Sequence, residues 1–341
     1  MPDSSKALDS PNPNRGEDLT GLPRPGGMTH QGCIYSGDAE FLDMALPFLR
    51  GAVEAGEPAI AATTPRNLCL LREALGDQGG GIEGVESVRF GARPPERITV
   101  FDRYWRRHAG TAARVRILAE PVWTGRSPSE IDAWTRMESA LNALFAATGI
   151  WMICPYDARS VPAPILADAV RTHPEMVQGR HAVPSPDYVD PSAFAPGGGP
   201  RTLRPAPPRR AERRFGYADF ASVRAWVAAY AARAGVPARA AADLVLAVNE
   251  LASNTAEHGS GRGSVRLWTE ADEVLCEVVD DTVRGPAATS WRPLAPMAGA
   301  PPDPHSGRGR GLWLVRQLCD LVEIHSADGA TTVRLHMRLS R

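Results

Sequence analysis

Three side chains with useful chemistry recur at intervals of four residues in the stretch NELASNTAEHGS: Glu250, Asn254 and His258. Residues four apart lie on the same face of a helix, so a carboxylate, an amide and an imidazole would line up there. An amide oxygen suits Mg²⁺, and a carboxylate can accept a proton from an attacking hydroxyl or water. The spacing therefore indicates a helix face suited to magnesium and a triphosphate.

A glycine-rich run, GRGRGLWLVRQLCD, follows later in the chain. Glycines that alternate just before an apolar helical run suit a phosphate held at a helix N-terminus, where backbone N–H groups lack partners and the macrodipole is positive. Together with the first segment, this run indicates a nucleotide site. Its candidate residues are Gly307, Arg308, Gly309, Arg310, Gly311 and Leu312.

Helices and strands alternate around these two segments. Apolar side chains recur at helical spacing over 220–230 and 244–251, and the second helix carries Glu250. Helices followed by antiparallel strands with one helix inserted predict an α/β sandwich. The predicted strands cover 264–269, 274–279, 322–325 and 331–339, and the last two join at Asp328-Gly329, a strong hairpin signal.

The N-terminal half shows a different alternation. Short apolar runs with the composition of buried strands are separated by helical patterns, the clearest of which opens with a capping box from Ser127 to Glu130. This alternation predicts a doubly wound, mainly parallel sheet. The predicted strands cover 32–35, 59–63, 87–90, 115–119 and 150–154.

Several polar residues follow these predicted strands. Ligands of open parallel sheets bind beyond the carboxyl ends of the strands. Glu120, Trp123 and Arg126 follow one strand, and Tyr156 follows another. They are candidates for binding a ligand, and a buried Glu120–Arg126 pair that stabilises a loop is equally consistent with their position.

The composition excludes several classes of protein. A net charge of −1 over 341 residues gives no global sign of nucleic acid or of an anionic membrane. Lys6 is the only lysine, which excludes lysine-based catalysis in the folded part. No apolar stretch reaches the ~20 residues of a membrane span, and five scattered cysteines favour the cytoplasm. His30 and Cys33 are metal-binding residue types, but two residues without further partners do not define a metal site.

The order of motifs in residues 215–341 resembles the GHKL ATPase superfamily. The ELASNTAEHG helix, a strand ending in Asp280, a long Pro/Gly/Ala-rich segment and GRGRGL follow one another as in that superfamily. The first motif is most similar to the anti-sigma-factor serine kinase branch. The resemblance implies ATP as the nucleotide, Glu250 as catalytic base and Asn254 as the Mg²⁺ ligand.

The resemblance also implies roles for the remaining candidates. His258 would lie near the phosphates, Asp280 would hydrogen-bond the adenine amino group, and residues 284–306 would form a lid over ATP. The glycines from Gly307 to Gly311 would cradle the phosphates.

One part of the chain departs from the superfamily pattern. Its members carry Asp-x-Gly-x-Gly after the second strand, whereas this chain has Asp280-Asp281-Thr282-Val283-Arg284. Side chains at Thr282 and Arg284 would stand where backbone approaches adenine closely. This departure leaves turnover less secure than ATP binding.

The N-terminal half resembles the MEDS sensory domain, which precedes such ATPase domains in actinobacterial regulators. The similar motifs are ALPFLRGAVEAGEPAIAATTP, AEPVWTGRSPSE, MESALNALF, CPYD and RTHP, within about residues 29–188. The resemblance implies that this domain senses a small organic ligand. The candidate contacts are His30, Glu120, Trp123, Arg126, Glu138 and Tyr156.

These observations predict a cytoplasmic signalling protein built from a disordered leader (1–27), a MEDS-like sensory domain (28–188), a Pro/Arg-rich linker (189–214) and a histidine-kinase-like ATPase domain (215–341). The ATPase domain would be a serine/threonine protein kinase that acts on a sigma factor or an anti-sigma antagonist. Two alternatives remain open: a non-catalytic binding module with a degenerate ATP site, and a sensor histidine kinase. A homodimer is also left open.

Overall fold

The structure is a computed structural model that describes residues 17–18, 27–198, 203–258, 261–280, 310–327 and 330–339. Within these ranges the chain forms two sheets, one of eight strands and one of five. The predicted lid and most of the predicted leader lie outside the described residues, as do Asp281 to Arg284.

The first sheet has the strand order β1-β8-β7-β2-β6-β5-β3-β4. The pairings of β2, β3, β4, β5, β6 and β7 with one another are parallel, and β8 is antiparallel to both β7 and β1. The predicted doubly wound, mainly parallel sheet is therefore confirmed. Its elements are β1 Glu17–Asp18, β2 Thr29–Tyr35, α1 Asp38–Ala55, β3 Ala59–Thr63, α2 Pro65–Leu75, β4 Ile82–Glu86, α3 Pro94–His108, β5 Val115–Ala119, α4 Pro128–Leu144, β6 Ile150–Asp157, α5 Ala163–Thr172, β7 Glu175–Gln178 and β8 His181–Pro184.

Helices cover both faces of this sheet. Every residue of β3 and β5 is buried, as expected for central strands of a parallel sheet with helices on both sides. Side chains from α1 and α2 pack on one face, and side chains from α3, α4 and α5 pack on the other. The start of α4 is fixed by Ser127 and Glu130, which form the predicted capping box.

One predicted strand is wrong. Residues 87–90 hold a short 3-10 helix, Ser87–Arg89, and the strand is the segment before it, β4. The carbonyl oxygens of Ser87 and Phe90 accept hydrogen bonds of 3.1 Å from the buried Arg97 guanidinium, so the backbone curls around a cation. The real strand lies at the sheet edge with half-exposed side chains, which is why its sequence, IEGVE, lacks an apolar pattern.

The second sheet is antiparallel throughout, in the order β12-β13-β11-β10-β9. Helices α6, α7 and α8 contribute side chains to its single core. The predicted α/β sandwich is confirmed. Its elements are β9 Ala211–Phe215, α6 Phe220–Ala234, α7 Ala238–His258, β10 Gly263–Glu270, β11 Glu273–Asp280, α8 Arg310–Leu318, β12 Leu321–Ala327 and β13 Ala330–Arg338.

Four further strands lie where no strand was predicted. β1 falls in the predicted leader, β7 follows the RTHP motif, and β8 and β9 fall in the stretch of Pro and Arg that follows residue 180. β9 is an edge strand whose three central side chains are exposed, so its sequence, AERRF, has the composition of a linker. No helix in the described ranges is both long and apolar enough to cross a membrane.

Candidate functional site

Helix α7 carries Glu250 and Asn254 along the rim of the second core. Leu244, Val248 and Leu251 are fully buried on the face that packs against the sheet. Since α7 turns once every 3.6 residues, this packing leaves Glu250 and Asn254 half-buried, one turn apart at the edge of the core. The predicted alignment of the carboxylate and the amide is therefore present.

The first turn of α8 lies directly against these two side chains. A Cβ atom on Gly311 would stand 3.2 Å from Glu250 Oε2 and 3.2 Å from Asn254 Nδ2. Glycine is thus the residue that lets the α8 backbone approach so closely. The start of a helix presents N–H groups without intrahelical partners, so this approach brings a carboxylate, an amide and helix N–H donors together.

Asp280 is the last residue of β11, and it is buried. It pairs in register with Gly263 of β10 and Thr331 of β13, so the sheet holds its backbone on both sides. A Cβ on Gly263 would stand 2.5 Å from Val279 O, and this contact makes glycine necessary opposite the end of β11.

The other predicted nucleotide contacts are only partly described. His258 ends α7 and Arg310 begins α8, but their side chains lie outside the described residues, as do all of Gly307, Arg308 and Gly309. Leu312 is half-buried against the core. For Mg²⁺ and ATP, the residues in place fit, because the close approach at Gly311 leaves helix N–H groups and oxygen ligands side by side.

In the N-terminal domain, Glu120 belongs to a closed hydrogen-bond network. Its carboxylate accepts hydrogen bonds from Tyr35 Oη at 2.9 Å, from Asn67 Nδ2 at 2.9 Å and from Thr63 Oγ1. Burial and this nearby carboxylate raise the pKa of Tyr35. The network connects the carboxyl ends of β2, β3 and β5, so Glu120 stabilises the fold at this edge of the sheet.

Arg126 does not pair with Glu120, contrary to one of the two sequence interpretations. Its guanidinium lies 4.0 Å from the centroid of the Trp134 ring, and its Nε donates to Val122 O. Burial lowers the pKa of Arg126 to about 10. The loop after β5 is therefore held by a cation–π contact, and Trp123 packs edge-on against the same Trp134 ring.

The remaining candidates of this domain belong to, or lie next to, a cluster of four polar side chains, which we call the buried cluster. It lies beneath Tyr156, whose ring stacks on Trp123 with centroids 6.0 Å apart and meets His173 edge-on at 5.7 Å. The ligand-capable atoms of the cluster all lie within 4.8 Å of one another. Its members are His30, Glu138, Cys154 and His173.

The sequence indicated two of these four residues and missed Cys154 and His173. His30 and Cys33, the two possible metal ligands considered from the sequence, do not lie together. Residues three apart on a strand point to opposite faces of the sheet. Cys33 packs with α1 on the other face. Cys154 sits in CPYD and His173 in RTHP, far apart in sequence, and only the pairing of β2 with β6 and the packing of α5 bring them together.

The described residues thus form an α/β domain with a mainly parallel sheet, followed by an α/β sandwich with a candidate site between α7 and α8. Residues 29–174 match the family model of the MEDS domain, the methanogen/methylotroph DcmR sensory domain, and residues 216–337 match that of the histidine kinase-like ATPase domain. The chain therefore carries a MEDS domain ahead of a GHKL-type ATPase domain, as the motifs predicted.

Other comparisons give less. Among curated proteins, none matches the chain. A crystal structure of the RsbU and RsbW domains of Rv1364c from Mycobacterium tuberculosis is similar at 20% identity, with a TM-score of 0.28. The similarity covers 39% of this chain and 32% of that one.

Proposed function

We propose that this protein is a signalling kinase in which the MEDS domain (within 28–188) controls an ATP-dependent serine/threonine kinase domain (215–341) of the anti-sigma-factor type. The observation that supports this most is the approach of the Gly311 backbone to Glu250 and Asn254. A carboxylate that can act as a general base, an amide oxygen that can bind Mg²⁺ and helix N–H groups that can donate to phosphate oxygens all lie at this one contact.

Each residue has a defined task in this proposal. Asn254 holds Mg²⁺ through its amide oxygen, and Asp280 accepts a hydrogen bond from the adenine amino group. Glu250 accepts the proton of a serine or threonine hydroxyl on a partner protein as the hydroxyl oxygen bonds to phosphorus. Bound ATP–Mg²⁺ would supply the phosphoryl group and leave as ADP. The partner would be a sigma factor or an anti-sigma antagonist.

Contacts between the two domains give the MEDS domain a route to this site. Arg93, at the start of α3, donates hydrogen bonds to Gln317 O at 2.8 Å and to Cys319 O at 2.6 Å, at the C-terminal end of α8. Arg338 of β13 pairs with Glu130 of α4 at 2.6 Å. A shift of α3 would therefore act on the helix whose first turn meets Glu250.

Two measurements on the full chain test the kinase proposal. Titration calorimetry with ATP–Mg²⁺ measures binding, and transfer of radiolabel from ATP to purified anti-sigma antagonists of the host measures turnover. Glu250→Gln should retain the affinity for ATP and lower transfer by about 10² to 10⁴-fold. Asp243→Asn, on the same helix two turns earlier, is the matched control and should change neither.

The outcomes separate the alternatives. Normal transfer by Glu250→Gln would show that the proposed base is wrong. Binding of ATP by the wild type without transfer to any antagonist or sigma factor would favour the non-catalytic module, which the loss of glycine at Thr282 and Arg284 allows. The histidine kinase alternative needs a phosphoacceptor histidine on a dimerisation helix, whereas His181 lies exposed in strand β8.

A further inference from the structure

The buried cluster has the donor set of a metal site. Two imidazoles, one thiol and one carboxylate meet in the interior of the MEDS domain, each between 0% and 3% exposed. Charged and polar groups are rarely buried without partners, yet Glu138 Oε2 and His173 Nε2 have no hydrogen-bond partner among the described residues. A cation between them would accept a lone pair from each of these two atoms and so satisfy both.

Both imidazoles are held with Nε2 as an acceptor. Asn142 Nδ2 donates to Ser139 O at 3.0 Å and to Thr172 O at 2.8 Å, which fixes the orientation of the amide. Its Oδ1 therefore faces His30 Nδ1 at 3.0 Å, and this ring nitrogen must carry the proton. The lone pair of His30 is consequently on Nε2, inside the cluster.

The same argument holds for the second imidazole. His173 Nδ1 lies 2.8 Å from Ala169 O, and a carbonyl can only accept, so Nδ1 donates and Nε2 keeps its lone pair. Metal-ligating histidines characteristically donate their other N–H to a carbonyl or carboxylate in this way.

The distances suit a small tetrahedral ion. Ligand atoms about 2.0–2.3 Å from such an ion are roughly 3.3–3.8 Å from one another. In the structure, His30 Nε2 lies 3.5 Å from Cys154 Sγ and 3.7 Å from Glu138 Oε2. His173 Nε2 lies 3.6 Å from the same Glu138 oxygen.

The backbone leaves room for this arrangement. Gly32 lies two residues after His30 on the same face of β2. A Cβ atom there would stand 3.1 Å from the His173 ring and 2.9 Å from Met176 Sδ. Any side chain at this position would crowd His173 against the cluster, so the glycine allows the second imidazole to reach it.

We propose that the buried cluster binds one zinc ion in tetrahedral coordination. A thiolate and a carboxylate would balance the two charges of the ion, and two neutral imidazoles complete a site with no net charge, which suits full burial. Thiolate with imidazole in tetrahedral geometry is the donor set of zinc among the first-row metals. Four protein ligands close the site, so the ion links β2 and β6 to α4 and α5.

Metal analysis and cobalt spectroscopy test the proposal on the full-length chain. Protein produced in zinc-supplemented medium should contain about one zinc ion per chain, as measured by inductively coupled plasma mass spectrometry. Cys154→Ser should lose the bound zinc. Cys33→Ser is the matched control, because Cys33 is a buried cysteine of the neighbouring strand on the opposite face, and it should keep full zinc content.

Substitution of the wild type with Co²⁺ gives a readout that does not depend on a variant folding. It should produce the visible bands of a tetrahedral ion and a thiolate-to-metal charge-transfer band, which Cys33→Ser should retain. Asn142→Ala, which frees His30, should weaken zinc binding by about 10 to 100-fold. The proposal fails if folded wild type contains no zinc, holds iron or copper in its place, lacks the charge-transfer band, or if Cys154→Ser binds zinc fully.

Discussion

The two domains hold their polar side chains in opposite ways. In the MEDS domain, the buried cluster and the Glu120 network lie inside the protein, and strands, helices and hydrogen bonds fix each atom. In the ATPase domain, Glu250 and Asn254 are half-buried on one helix, and their counterpart is the backbone of another helix at Gly311. The polar groups of the MEDS domain are thus enclosed, whereas Glu250 and Asn254 are partly exposed.

Because of this difference, we expect substitutions in the two places to change different properties of the protein. Polar groups that are fully enclosed affect the free energy of unfolding strongly, because a change leaves a partner without a hydrogen bond. Groups at the rim of a core can be replaced with little effect on folding, so a change there is felt mainly in binding and catalysis. The predictions below test this contrast, beginning with the largest expected effect.

Glu120→Gln should lower the free energy of unfolding by about 3 kcal/mol or more, since donors from Tyr35, Thr63 and Asn67 lose a charged acceptor. Urea unfolding measures the loss. Glu54→Gln, an exposed carboxylate of α1, is the control and should stay within about 0.5 kcal/mol of the wild type. Zinc content of Glu120→Gln should be unchanged, because this network does not contact the buried cluster.

A substitution at His336 tests whether the ATPase domain also contains a polar group whose buried partners stabilise the fold. Burial alone would lower the pKa of His336, but hydrogen bonds to Glu273 at 3.1 Å and Glu323 at 2.8 Å outweigh it and raise the pKa to about 9. A histidine with a raised pKa stabilises the fold fully below its unfolded pKa of about 6.5, and this contribution is lost as the pH rises through about 9.

His336→Gln should therefore destabilise the protein by at most about 3 kcal/mol near pH 6, and the difference from the wild type should vanish near pH 10. Unfolding in urea at a series of pH values measures this. His325→Gln, on the adjacent strand β12, serves as the control. A destabilisation that is constant with pH would contradict a charged His336.

Gly311→Ala should separate stability from binding in the ATPase domain. Alanine is favoured over glycine in a helix by up to about 1 kcal/mol, which offsets the cost of moving the Glu250 and Asn254 side chains aside, so the stability should stay within about 1 kcal/mol of the wild type. The new Cβ would press on Glu250 and Asn254 at 3.2 Å, and affinity for ATP–Mg²⁺ should fall about tenfold by calorimetry. Gly110→Ala, where the added Cβ meets nothing within 4 Å, is the control.

The sequence predicted the ATPase domain better than the interior of the MEDS domain, for a physical reason. Glu250 and Asn254 are one helical turn apart, so a local spacing reveals that they share a face. The buried cluster takes its members from β2, α4, β6 and the end of α5, and no local pattern links them. Glu138 emerged only from the family resemblance, His30 was considered as a metal ligand only together with Cys33, and Cys154 and His173 were not singled out.

The strands show the same limit. β3 and β5 are buried throughout and were predicted from their apolar runs, whereas the edge strands β4 and β9 are rich in exposed side chains and were missed. Edge strands pair through the backbone on one side only, so their side chains need not be apolar. Which segment completes the edge of a sheet therefore depends on contacts that are distant in sequence.

The smallest expected effect concerns the contact between Arg93 of the MEDS domain and helix α8 of the ATPase domain. Arg93 donates to the last carbonyl groups of α8, a position where a cation also complements the helix dipole. In the wild type, ATP–Mg²⁺ should therefore slow amide hydrogen exchange at the start of α3 as well as in α8. Arg93→Gln should remove the effect on α3 while changing ATP affinity by no more than about threefold, a coupling of at most about 0.7 kcal/mol.

Arg89→Gln is the matched control for this experiment, since Arg89 is an exposed arginine of the preceding turn whose ion pair is with Glu86. It should leave the exchange pattern as in the wild type. If Arg93→Gln still slowed exchange in α3 on addition of ATP, the signal would have to pass through another contact between the domains, such as Gln317 Nε2 with Thr99 Oγ1 at 3.4 Å or Arg338 with Glu130. Only the second of these contacts would tie the nucleotide site to the buried cluster, because α4 also carries Glu138.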